Sequence, residues 1–96
     1  MIKHEEFLRL CQRKVAEYEN KRVDIIEEID ADDVFFVWTC KTLQNSKCLM
    51  STPVKGAYYY EFTYNGDRGE IYMDVYKKVE NVALDENGKI IVERIK

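Results

Sequence analysis

Ninety-six residues with a net charge of −3, 46% hydrophobic and 34% charged, are those of one ordinary soluble domain. The charge balance excludes general nucleic-acid binding, which needs a basic stripe to displace counterions from phosphate. The apolar runs are too short to cross a bilayer, so no membrane partner is expected.

The start, Met1-Ile2-Lys3-His4-Glu5-Glu6, is acidic where a signal peptide would be basic and then apolar, so the cytoplasm is the expected compartment. Cys11, Cys40 and Cys48 are odd in number and lack metal spacing. The single His4 cannot complete a zinc set, so reduced thiols with no metal and no cofactor are expected.

Residues 4–21 read as an amphipathic helix, with Phe7, Cys11, Val15 and Tyr18 at helical spacing and Leu8 beside them. Residues 22–33 fit either a continued helix or extended chain. Asp30-Ala31-Asp32-Asp33 reads as a loop, because Asp favours caps and turns. Val34–Cys40 is β-branched and aromatic, and so a strand. A three-residue turn, Leu43-Gln44-Asn45, with Asn45 left-handed, sets Cys40 opposite Cys48 and Trp38 opposite Met50. Val34, Phe36, Trp38, Cys40, Cys48 and Met50 then share the core face, and Phe35, Val37, Thr39, Lys41 and Leu49 the other. Oxidation would join Cys40 to Cys48 in that register, although the cytoplasm disfavours it. Pro53 ends the second strand.

Six of the seven tyrosines sit in the next hairpin, Gly56–Tyr64 and Glu70–Tyr76. Pairing Phe62 with Ile71, Tyr60 with Met73 and Tyr58 with Val75 gives one wholly apolar face. The other face keeps Tyr59, Glu61, Thr63, Tyr72, Asp74 and Tyr76, so no carboxylate is buried. A final hairpin, Val79–Leu84 and Ile90–Ile95, turns at Asp85-Glu86-Asn87-Gly88. The order is an N-terminal helix and then a meander, an α+β fold with the helix on a four- to five-stranded antiparallel sheet, cystatin-like in element order.

Catalytic signals are weak. Glu61, Glu70 and Asp74 share an open sheet face and form no cleft. His4 has no nucleophile beside it in sequence. Asn65-Gly66-Asp67-Arg68-Gly69 is a hairpin turn and lacks the strand–loop–helix setting of a phosphate cradle. No enzyme is expected. The outer sheet face is the stronger signal: Tyr59, Tyr72 and Tyr76 stand with Phe35, Val37 and Leu49, more aromatic area than monomers usually leave exposed. Asp24, Glu27, Glu28, Asp30, Asp32 and Asp33 form a second, acidic candidate contact.

The run Val34–Lys47 resembles a family of small uncharacterised proteins encoded by phages and prophages of Gram-positive bacteria. The similarity resumes at Tyr58–Asp67 and Glu70–Lys78, and Lys41-Thr42-Leu43-Gln44-Asn45 and Thr63-Tyr64-Asn65-Gly66-Asp67 are its distinctive strings. The resemblance implies a phage accessory protein in the host cytoplasm, engaging a host, defence or phage protein. It supplies no catalytic residue. Contact through the outer face with a protein partner, or with a second copy in a homodimer, is the expected function. A sponge-like protein that binds a small ligand or nucleotide by aromatic stacking is the alternative.

Overall fold

The computed structural model describes residues 2–22 and 28–91. Helix α1 spans His4–Asn20, followed by a 3-10 turn at Ala31–Asp33. Strands β1 (Phe35–Thr42), β2 (Asn45–Ser51), β3 (Tyr59–Asn65) and β4 (Glu70–Tyr76) follow. They form one antiparallel sheet in the order β1-β2-β3-β4, a meander with the helix on one face. The fold is α+β, as the pattern of elements requires. After Tyr76 the described residues add one bridge, Leu84 to Ile90, around a turn closed by the Gly88 N–H donating to the Asp85 carbonyl. Residues 92–95 of the expected last strand lie outside the described residues.

The helix begins where Lys3 N–H donates to the Glu6 carboxylate at 2.9 Å, satisfying an N–H at the helix start. Phe7, Cys11, Val15 and Ala16 recur on one side and are buried against Cys48, Met50, Tyr60, Phe62 and Tyr64. Each fully buried large side chain among them contributes about 1.5–3 kcal/mol. The helix lies over β2 and β3, not over β1, every residue of which is exposed.

Two registers differ from those expected. The β1–β2 turn has two residues, Leu43 and Gln44, and the left-handed residue is Leu43 (φ 54°), not Asn45. A bulge lies between Phe36 and Trp38, so Trp38 faces Leu49, Thr39 faces Cys48 and Cys40 faces Lys47. The extra residue reverses the faces beyond it. Trp38 and Cys40, expected in the core, therefore stand on the outer face. Thr39 and Lys41, expected outside, are on the helix side. The Cys40–Cys48 pairing does not exist.

In the tyrosine hairpin, Phe62 faces Met73, Tyr60 faces Val75 and Tyr64 faces Ile71, two residues from the expected register. Asn65 sets the difference. Its side-chain oxygen accepts from the N–H groups of Asp67 (3.1 Å) and Arg68 (3.3 Å), and its carbonyl accepts from Gly69 N–H. This closes a four-residue turn, with Gly69 at φ 65°. A shift of two preserves the faces, so Tyr60, Phe62 and Tyr64 are buried as the apolar pattern implies.

The two turns pack on each other. Gln44 Nε2 donates to Asp67 Oδ1 at 2.6 Å, and Gly66 N–H to Asn45 Oδ1 at 3.1 Å. A Cβ on Gly66 would lie 2.1 Å from the Gln44 carbonyl oxygen, so only glycine fits. At the other end of the helix, buried Glu19 accepts from the Tyr60 hydroxyl through Oε2 and pairs with Arg22 at 2.9 Å through Oε1. Arg22 also lies over the Tyr58 ring, 4.0 Å from its centroid. Burial, and then the Glu19 hydrogen bond, push the Tyr60 phenol well above its ordinary value.

Gly66→Ala should destabilise the fold by about 1–3 kcal/mol in urea denaturation, because the obstructing atom is backbone. Tyr60→Phe should cost about 1–3 kcal/mol at pH 7 by leaving a Glu19 oxygen without its buried donor. The raised phenol makes a pH signature. Its contribution is full below the unfolded value of about 10 and is lost as pH rises above it. Wild-type stability should therefore fall more steeply with pH above about 10 than that of Tyr60→Phe. Parallel curves would contradict this assignment.

Candidate interaction face

The outer face of the sheet is built by alternation: residues whose neighbours in sequence point at the helix point away from it. Register places Phe35 and Trp38 of β1, Leu49 of β2, Tyr59 and Glu61 of β3, and Tyr72, Asp74 and Tyr76 of β4 on that face. Phe35 is 47% exposed, Trp38 40%, Tyr72 53% and Tyr76 50%. Leu49 and Tyr59 are half-buried among their neighbours, and Val37 is exposed at the bulge. With each ring about half exposed, the four large exposed side chains present roughly 400 Å². That lies within the range of the largest patch on a monomer, not above it as the composition suggested.

Trp38 is the residue the sequence pattern misses. Only the bulge brings it to this face, and alternation alone assigns it to the core. The two exposed β4 tyrosines are held by their hydroxyls. Tyr72 donates to Glu70 at 2.8 Å, and Tyr76 donates to Glu61 at 3.1 Å. Glu70 also lies 3.7 Å from Arg68, and Glu61 lies 3.5 Å from Lys47. These hydrogen bonds raise both phenols above their ordinary value. Glu61 and Glu70 of this face thus orient rings and pair with cations. No group of three or more metal-ligating side chains occurs among the described residues.

The acidic stretch is partly structural. Asp30 Oδ1 accepts from Asp32 N–H at 2.9 Å, and Asp33 Oδ2 accepts from Asp30 N–H at 3.0 Å. Asp32 pairs with Arg9 at 3.3 Å, and Gln12 Nε2 donates to the Val34 carbonyl from the buried side of the helix. Asn20 makes two hydrogen bonds with the Ile29 backbone. Glu28 is exposed. Asp24 and Glu27 lie outside the described residues.

In space, though not in sequence, His4 has a hydroxyl beside it. Ser46 Oγ lies 2.9 Å from His4 Nδ1, and the ring stacks on Phe7. Ser46 is buried, and no carboxylate among the described residues orients the imidazole from its other nitrogen. The pair joins the helix start to β2. The thiols are placed differently from the expectation. Cys11 of the helix and Cys48 of β2 are both free and buried in the same core. The neighbouring Cys48 thiol, and then burial, push the Cys11 thiol up. Cys40 is exposed, near Lys47.

A family model described as a family of unknown function (DUF6275) matches residues 8–86, and the chain belongs to that family. The match includes every residue of the outer face. No curated protein and no solved structure matches the chain. No helix among the described residues is long and apolar enough to cross a membrane.

The burial of the thiols gives a direct check. In native protein a maleimide should label Cys40 alone, with Cys11 and Cys48 labelled only after denaturation. Mass spectrometry of the tryptic peptides reads the result, and native labelling of Cys48 would contradict the β2 register.

Proposed function

We propose that the chain acts by protein–protein contact through the outer sheet face, as a small non-enzymatic accessory protein of a phage or prophage whose partner is a host or phage protein in the host cytoplasm. The observation that carries this reading is the exposure of Phe35 and Trp38 on β1 and of Tyr72 and Tyr76 on β4, at the two edges of a sheet face that no described residue covers. Aromatic rings bring contact area with few rotatable bonds, and Tyr adds a polar tip. Here the tips of Tyr72 and Tyr76 are already tied to Glu70 and Glu61, so the rings are oriented before any partner arrives.

The other face of the sheet supports the same reading over a ligand-binding one. Phe7, Cys11 and Val15 fill the space above Cys48, Met50, Tyr60 and Phe62, where a nucleotide would otherwise sit. The exposed aromatics form a surface, which suits a macromolecule better than a small molecule.

The test is affinity capture with wild-type protein and with the double variant Tyr72→Ser/Tyr76→Ser, followed by titration of each captured protein. Val79→Ser serves as the control, since Val79 is 94% exposed and lies outside the strands. Loss of one hot-spot aromatic costs about 2 kcal/mol or more, so the double variant should bind its partner at least about 30-fold more weakly. Unchanged binding by a double variant with native circular dichroism would sink the proposal.

A further inference from the structure

The sequence holds two Asn-Gly pairs, Asn65-Gly66 and Asn87-Gly88, each at a hairpin turn. A glycine after an asparagine leaves the next amide nitrogen unshielded by any side chain. That nitrogen can reach the asparagine carboxamide carbon and close a five-membered ring, which is why asparagine is a thermolabile residue. The fold treats the two pairs differently.

At Asn65 the reacting groups are engaged. Its side-chain oxygen accepts from Asp67 N–H at 3.1 Å and Arg68 N–H at 3.3 Å. The nucleophile, Gly66 N–H, donates to Asn45 Oδ1 at 3.1 Å. Gly66 also lies against the Gln44 backbone, where an added Cβ would be 2.1 Å from the carbonyl oxygen. The turn therefore has no room to rotate into a ring until it parts from the β1–β2 turn. At Asn87 the reverse holds. Residues 85–90 are all exposed, and the Asn87 carboxamide makes no hydrogen bond with any described residue. A Cβ on Gly88 would meet nothing within 4 Å. Gly88 N–H donates only to the Asp85 carbonyl, at 3.0 Å, inside the turn itself. One bridge closes that turn, between Leu84 (55% exposed) and Ile90 (64% exposed). A two-stranded hairpin standing alone is marginally stable in water, so this bond opens readily.

We propose that Asn87 is a self-modification site, where the chain converts its own asparagine to aspartate and isoaspartate with water as the co-reactant, and that the contact between the two sheet turns protects Asn65 from the same reaction. The Gly88 nitrogen gives its proton to hydroxide and attacks Asn87 Cγ. The N–Cγ bond forms, the Cγ–Nδ2 bond breaks, and ammonia leaves with a proton taken from water. A second water then opens the ring. Breaking the N–Cγ bond gives aspartate; breaking the bond from nitrogen to the Asn87 backbone carbonyl carbon gives isoaspartate, whose main chain runs through Cγ. No electrons are transferred. Either product adds one negative charge to a chain of net charge −3, and isoaspartate lengthens the turn by a methylene. The site lies outside the helix and the sheet, so the folded core survives the change.

The test holds native protein in mildly alkaline buffer and follows both sites by peptide mass spectrometry with electron-transfer fragmentation. Synthetic peptides of residues 62–69 and 84–91 supply the unprotected rates. Asn87 should convert within a few-fold of its peptide, and Asn65 at least about tenfold more slowly than its own. Asn45→Ala, which removes the acceptor of Gly66 N–H, should speed conversion at Asn65 and leave Asn87 unchanged. In concentrated urea wild-type Asn65 should reach its peptide rate, which reads the protection even if the variant does not fold. An Asn87 that stays intact while its peptide converts overturns the proposal. So does an Asn65 that converts in native protein as fast as in its peptide.

Discussion

One helix is too narrow to cover four strands. With side chains it is about 10–12 Å across, whereas the axes of β1 and β4 lie roughly 14 Å apart. It covers the two central strands, and the fully buried side chains of the sheet, Cys48, Met50, Tyr60 and Phe62, all come from β2 and β3. The exposure of the edge strands follows from that shortfall, and the outer face is open because the helix lies on the other side of the sheet. The described chain beyond Tyr76 does not make it up.

The position of the helix over the two central strands is fixed by polar contacts at its two ends. Near its start His4 meets Ser46 of β2, and near its end Glu19 receives the Tyr60 hydroxyl and pairs with Arg22. Between them Gln12 holds the Val34 carbonyl, which delivers the chain into β1 beside the helix and not beneath it. A buried carboxylate contributes little net stability once its desolvation is counted. Its effect here is directional: sliding the helix toward β1 would take Glu19 away from Tyr60. Among the described residues no buried side-chain nitrogen or oxygen lacks a hydrogen bond, so this arrangement is satisfied throughout.

The sequence discloses the layers but not every face. The helix is legible because Phe7, Cys11 and Val15 repeat at helical spacing. The tyrosine hairpin is legible because any even register keeps Tyr60, Phe62 and Tyr64 together, so an error of two residues left the face assignment intact. β1 is different. Its apolar residues run consecutively, so alternation gives no parity to read, and one bulged residue moves Trp38 and Cys40 to the opposite side. Glu19 and Gln12 look like solvated helix positions, since their burial is decided by Tyr60 and the Val34 carbonyl, both distant in sequence. The strings around Gln44 and Gly66 are distinctive for a physical reason: the two turns touch, and neither tolerates a side chain where Gly66 meets the Gln44 backbone.

The account rests on the side of the sheet to which Trp38 belongs, because that residue carries the β1 end of the exposed face and reports the bulge directly. Trp38 is the single tryptophan, so its indole resonances are unambiguous. Nuclear Overhauser contacts of the indole are the most direct measurement. The structure predicts contacts to the Leu49 side chain and none to Met50, Cys48 or helix α1. Contacts from Trp38 to Met50 or to Cys11 would contradict the account, returning the ring to the core and closing the outer face at its β1 end.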